Sequence, residues 1–126
     1  MKKRVNENTG YYKMGKIEFK FATIIWENEP LRSSELARLA LEQLDWKKST
    51  SYTVLKKLSD KGYFQNDKGT VTSIVSRDEY YSMQVQGILD EGYEGSLPKF
   101  IAAFSKSKSY TDKEINELVD LIKGKK

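Results

Sequence analysis

The residues best suited to chemistry lie in one short run, residues 46–62, where hydroxyls and amines crowd together and no carboxylate occurs before Asp60. Wound at 100° per residue, this run places Ser51, Val54, Leu55 and Leu58 on one side of a helix. The opposite side carries Ser49, Tyr52, Thr53 and Lys56, flanked by Thr50 and Lys57. Hydroxyl and ammonium groups without acids make a surface that can meet phosphate oxygens and base edges. A helix face that is only solvated more often mixes both signs of charge. The run therefore reads as a DNA-recognition helix; the bland alternative is a packed helix whose lysines merely face water.

Other chemistries lack their reagents. The 126 residues include no cysteine, which excludes disulfides and thiolate metal sites, and no histidine, which removes the commonest general base and metal ligand. Acidic pairs such as Asp90 and Glu91 lack a pocket signature. Neither enzyme activity nor a metal or cofactor is expected. No apolar stretch approaches the roughly 20 residues of a membrane span, and the basic residues Lys2, Lys3, Arg4, Lys13 and Lys16 have no apolar stretch of a secretory signal behind them. A cytoplasmic protein is expected. The net charge of +4 is divided unevenly: residues 1–76 hold 14 Lys/Arg against 9 Asp/Glu, and residues 77–126 hold 8 against 9. A basic half followed by a near-neutral half suits a polyanion-binding module followed by an assembly module.

The elements that must position the basic helix follow from periodicity. Residues 1–15 show none and read as a flexible N-terminal arm, in which Tyr11 and Tyr12 read as decoration, with an arm-to-groove contact as the lesser alternative. Ile17, Phe21, Ile24 and Ile25 recur at helical spacing, and that helix ends near Asn28, ahead of Pro30. Leu31 and Arg32 form a short extended link. Ser33 or Ser34 is expected to cap a second helix with apolar positions Leu36, Leu39, Ala40 and Leu44. The basic helix follows and stops at Gly62. Residues 63–66 and 70–76 read as strands joined by the turn Asp67, Lys68, Gly69. Helix, short strand, helix, helix, hairpin is the order of a winged helix-turn-helix. Trp26 and Trp46 are expected in its packing.

Beyond the hairpin the pattern changes. Ser76 and Glu79 fit a capping box, followed at helical spacing by Tyr81, Val85, Ile88 and Leu89. After Gly92 and Gly95, Leu97, Phe100, Ile101 and Phe104 mark a further helix, with Pro98 in its first turn. Thr111 and Glu114 form a second box, heading Ile115, Leu118, Val119 and Ile122. Three short amphipathic helices can hardly bury their stripes on one another, so pairing with the same region of a second chain is the economical solution. Phe100, Ile101 and Phe104 suit either an internal core or a subunit contact. The expected fold is mainly α with a small β-hairpin. A winged helix-turn-helix over residues 16–76 would be followed by a three-helix dimerisation region over residues 77–126.

Glu18, Phe19 and Ile24 to Trp26, the segment Trp46, Ser49, Thr50, Thr53, Leu55, Lys57, Leu58, Lys61, Gly62, and the later Gly95 to Leu97, Phe104 and Lys113 to Leu118 occur in an order that resembles the BlaI/MecI family of bacterial winged-helix repressors, which control penicillinase and methicillin-resistance genes. The likeness spans roughly residues 14–123. It implies a homodimeric repressor on double-stranded, pseudo-palindromic operator DNA, with Phe100, Ile101 and Phe104 in the subunit contact. It also implies a membrane sensor and protease pathway that inactivates the repressor by cutting an Asn-Phe bond in the C-terminal region. The equivalent pair here is Ala103–Phe104, which keeps the Phe and lacks the Asn. The copper-responsive branch carries a C-terminal cysteine cluster, and this chain has no cysteine.

For DNA, Thr50 and Thr53 are expected near phosphate or base edges, Tyr52 over the groove, Lys56 and Lys57 towards the backbone, and Ser49 at a phosphate with the helix N-terminal amides. Lys48 attracts the duplex, and Lys68 and Thr70 touch backbone from the wing. Without an arginine on the helix, bidentate guanine reading by it is unavailable. Two other classes compete with this reading: a winged-helix protein-interaction module, and a regulator with an effector between the C-terminal helices.

Overall fold

The computed structural model describes residues 12–124. Helix α1 (Lys16–Asn28), strand β1 (Leu31–Arg32), helices α2 (Ser33–Leu44) and α3 (Lys48–Asp60) and strands β2 (Phe64–Asp67) and β3 (Thr70–Ser73) follow in turn. Helices α4 (Arg77–Gly92), α5 (Leu97–Ser105) and α6 (Asp112–Ile122) complete the order. The strands form one antiparallel sheet in the order β1-β3-β2. This is a winged helix-turn-helix with three further helices, the fold class its spacing predicts. None of the described helices is long and apolar enough to cross a membrane.

The chain divides into two compact units, one up to Gly87 and one from Ile88. The expected boundary at 76/77 lies ahead of this division, and the physical reason is Tyr80. It is 1% exposed and joins the first unit's core, with its ring beside Phe19, Trp26 and Tyr63.

In the first unit, α1 buries Phe21, Ile24 and Ile25 against Leu36 and Ala40 of α2, Leu55 and Leu58 of α3 and Phe64 and Val71 of the hairpin. Trp46 stacks on Phe21, ring centroids 5.0 Å apart, and Trp26 donates from Nε1 to the Val75 carbonyl at 3.0 Å. Each fully buried aromatic in such a set stabilises the unit by about 3–5 kcal/mol relative to alanine. Residues 12–15, read from the sequence as part of the arm, are fastened to this core. Met14 is buried, its amide donates to the Tyr80 hydroxyl at 2.7 Å, and the Tyr63 hydroxyl donates to the Tyr12 carbonyl.

Two local expectations are corrected. Helix α2 has Arg32, not a serine, at its cap position, and no side chain caps it. Ser33 is already helical: its amide donates to the Gly69 carbonyl at 2.8 Å, and its hydroxyl meets the Tyr52 hydroxyl at 3.4 Å. Strand β3 stops at Ser73 rather than at residue 76, because the amides of Ile74 and Val75 turn to the Tyr63 carbonyl. Capping boxes do form at Ser76 with Glu79 and at Thr111 with Glu114.

In the second unit, neither α5 nor α6 buries a single residue. Leu97, Ile101, Phe104, Ile115, Leu118 and Val119 all remain substantially exposed.

Candidate nucleic-acid interface

The core fixes the orientation of α3. Ser51, Leu55 and Leu58 are buried and Val54 packs partly beneath them, so the side predicted to point inward does so. At its end the left-handed Gly62, φ +91°, reverses the chain into the wing, a conformation that strains any residue with a Cβ. The outward side then carries Lys48, Ser49, Thr53, Lys56 and Lys57 exposed, with Thr50 and Tyr52 half-buried beside them.

The N-terminus of α3 differs from those of its neighbours. It has no acidic residue in its first turn and no side-chain cap. Helices α1, α2, α4 and α6 each carry an acid there, and Ser96 caps α5. Unsatisfied amides and the positive end of a helix dipole therefore coincide with Lys48 and Ser49, an arrangement that favours an anion.

The amines of α3 are not equivalent. Lys56 pairs loosely with Asp60 at 3.4 Å and stays largely in water. Lys57 is tied down: its Nζ lies 2.7 Å from Glu18 Oε2, and the Tyr12 hydroxyl donates to the other carboxylate oxygen at 2.7 Å. The Gly15 amide donates to the same oxygen at 3.0 Å, and the Tyr12 ring lies about equally close to the ammonium groups of Lys57 and Lys61. Burial pushes the Glu18 carboxyl up, but hydrogen bonds from Lys57, Tyr12 and Gly15, with the charge of Lys57, outweigh it and hold the group below its usual range. The Glu18 hydrogen bond likewise raises the Lys57 ammonium. Lys57 thus clamps α3 to α1, and to touch a phosphate it must exchange Glu18 for it. Tyr12, read from the sequence as decoration, belongs to this clamp; Tyr11 lies outside the described residues.

The wing turns through Lys68 and Gly69, at φ +52° and +94°, with Asp67 and Thr70 paired across the two-residue turn. The Lys68 side chain is exposed and Thr70 is half-buried. A contact chain from Tyr52 through Ser33 to Gly69 joins the outer face of α3 to this turn. Arg32, overlooked in the sequence as a link residue, stands beside it: β1 pairs Arg32 with Thr70. The pairing spans 38 residues, so no local pattern reveals it.

The residues expected at a subunit contact divide among three surroundings. Tyr81 and Val85 are exposed residues of the first unit, the Tyr81 ring 6.0 Å from that of Phe19. Leu89 is already buried within its own chain, whereas Ile88 and Ile122 are at least half exposed. Phe100, Ile101, Phe104, Ile115 and Leu118 line, with Tyr110, an apolar groove of about 470 Å³ between α5 and α6, and Leu97 and Val119 are exposed in the same unit. Ala103 and Phe104 sit in the last turns of α5, both exposed.

A positioned helix with a polar, acid-poor outer side, an uncapped N-terminus and a hairpin at its flank defines a winged-helix module of the kind that engages nucleic acid. The chain belongs to the penicillinase repressor family, whose sequence model matches residues 14–124. Among its relatives, a penicillinase repressor of Bacillus licheniformis is 24% identical over 113 residues, covering 86% of this chain and 88% of the relative. The methicillin resistance regulatory protein MecI of Staphylococcus aureus (strain Mu50 / ATCC 700699) is 21% identical over 118 residues, covering 90% and 96%. Membership places the protein among repressors of transcription.

Proposed function

We propose that the protein represses β-lactam resistance genes as a homodimer that occupies a pseudo-palindromic operator, each subunit laying α3 in a major groove. The observation that carries this reading is the outward side of α3, where Lys48 and Ser49 at an uncapped helix N-terminus are followed on the exposed side by Thr53 and Lys56. Thr50, Thr53 and Tyr52 take the base edges and adjoining sugar-phosphate, while Lys48, Ser49, Lys56, Lys68 and Thr70 hold phosphates. Lys57 joins them only by leaving Glu18. The unburied stripes of α5 and α6 supply the dimer contact, since a groove of about 470 Å³ lined by aromatic and aliphatic side chains is costly to leave in water.

Relief of repression through cleavage at Ala103–Phe104, by a protease acting downstream of a membrane sensor, would require the end of α5 to open first. Proteases take extended chain, and a helical bond is reached only in the locally opened state.

The test is a mobility-shift titration of the full chain on duplex DNA at rising salt. With six to ten phosphate contacts per dimer, affinity falls by about 10³–10⁵ between 50 and 200 mM salt. An affinity indifferent to salt contradicts the proposal.

A further inference from the structure

Three arginines fall among the described residues, and two of them are neutralised. Arg38 is braced by Glu35 at 2.6 Å and Glu42 at 2.8 Å, and Arg77 meets Glu27 at 3.2 Å with its guanidinium over the Trp26 ring. Arg32 has no carboxylate partner among the described residues. Its contacts are long and neutral: Nη1 lies 3.5 Å from the Lys68 carbonyl and 3.4 Å from the Thr70 hydroxyl. Asp67, at the start of the same turn, makes no ion pair with it.

The guanidinium lies against the wing turn: a Cβ on Gly69 would lie 2.7 Å from Arg32 Nη2 and 3.0 Å from its Cζ, so the flexible Arg32 side chain would have to shift for any other residue there, whose backbone at φ +94° would also be strained. Lys68 adds a second exposed cation at the tip. Arg32 on β1 and Lys68 at the wing tip, neither with a carboxylate partner among the described residues, repel each other, and a polyanion relieves that repulsion. The group shares a surface with the outward face of α3, through the Tyr52 hydroxyl on Ser33 and the Ser33 amide on Gly69.

Resting on the DNA-binding reading above, we propose that Arg32 enters the minor groove flanking each half-site and selects narrow, A·T-rich sequence there. When a helix occupies the major groove, a hairpin at its flank lies over the adjoining minor groove. That groove is about 6 Å wide, which admits a planar guanidinium but not a hairpin. Narrow A·T tracts concentrate negative potential, and arginine enters them more readily than lysine because it is more weakly hydrated. Shape reading by Arg32 adds a sequence preference in the flanks to the base contacts proposed for Thr50, Thr53 and Tyr52.

The experiment is selection from a random 40-base-pair duplex library by the full chain and by Arg32→Ala and Arg32→Lys, with circular dichroism confirming that each variant is folded. The native protein enriches a core motif flanked by A·T runs. Both variants keep the core and lose the flanks, and Arg32→Ala binds an A·T-flanked site about tenfold more weakly while a G·C-flanked site changes less than about threefold. Flanks unchanged in Arg32→Ala, absent from the native selection, or retained by Arg32→Lys overturn the proposal, the last outcome marking a phosphate contact only. If the native chain enriches no sequence and binds no duplex, the DNA-binding reading itself has failed, and the two failures are told apart by this arm.

Discussion

The two units of the chain use similar apolar residues to opposite ends. In the first, Phe21, Ile25, Leu36, Leu58, Tyr63, Phe64, Val71 and Tyr80 are almost wholly removed from water. In the second, the rings of Tyr93, Phe100, Phe104 and Tyr110 run in contact along α5, at centroid spacings of 5.3, 5.8 and 5.9 Å, yet Phe104 remains 45% exposed. Caps and helical periodicity are as sound in α6, with its full capping box, as anywhere in the first unit. Good local signals therefore make helices in both units, but only the first closes a core with its own residues. Burial by another surface is what the second unit lacks, and in the proposed dimer a second copy of the same unit would supply it.

The contrast is broken or sharpened by mutation, beginning in the cores. Phe64→Ala is expected to destabilise the first unit by about 3–5 kcal/mol in denaturant unfolding. Phe104→Ala in the second unit should instead shift the sedimentation profile towards monomer at a given concentration, with the near-ultraviolet signal of the first unit retained. If Phe104→Ala unfolds the monomer and leaves assembly untouched, the groove is an internal core.

The clamp between α1 and α3 gives a smaller, pH-dependent effect. The Glu18 carboxyl is held below its ordinary value of 4.5, so its stabilisation is present above that value and is lost as pH falls through the lowered one. Unfolding followed from pH 7 to pH 2 should therefore show a flatter acid limb in Glu18→Gln than in the native chain. Parallel limbs would mean that Lys57 does not hold the carboxylate in solution.

Smallest of all is Ser51→Ala. The Ser51 hydroxyl is buried on the inner side of α3 with no hydrogen-bond partner among the described residues, so replacing it with a methyl should change unfolding free energy by less than about 1 kcal/mol, in the stabilising direction. A loss well beyond that in the same denaturant curves would reveal a partner for the hydroxyl.

What was legible in the sequence was local. The inward stripe of α3, the turn at Asp67 to Thr70, the boxes at Ser76 and Thr111 and the ends of α1 all follow from spacing and cap chemistry within a few residues. What was not legible depends on partners far along the chain. Lys57 read as a free amine because Glu18 is 39 residues away, and Ser33 read as a cap because its partners are Tyr52 and Gly69. Tyr12 and Met14 read as arm because their acceptors and donors belong to Glu18, Tyr63 and Tyr80. Arg32 read as a connector because its role exists only once β1 pairs with β3. The candidate interface was therefore visible as a helix face, while the division of its amines into free and tied ones was not.

The most direct measurement is amide chemical-shift mapping of the full chain as a short duplex is added. The expected result is a set of changes concentrated in residues 47–57 and 66–70, with the amides at the N-terminus of α3 moving furthest. Changes confined to residues 88–124, with residues 47–57 unmoved, would contradict the claim that α3 is the surface that meets DNA.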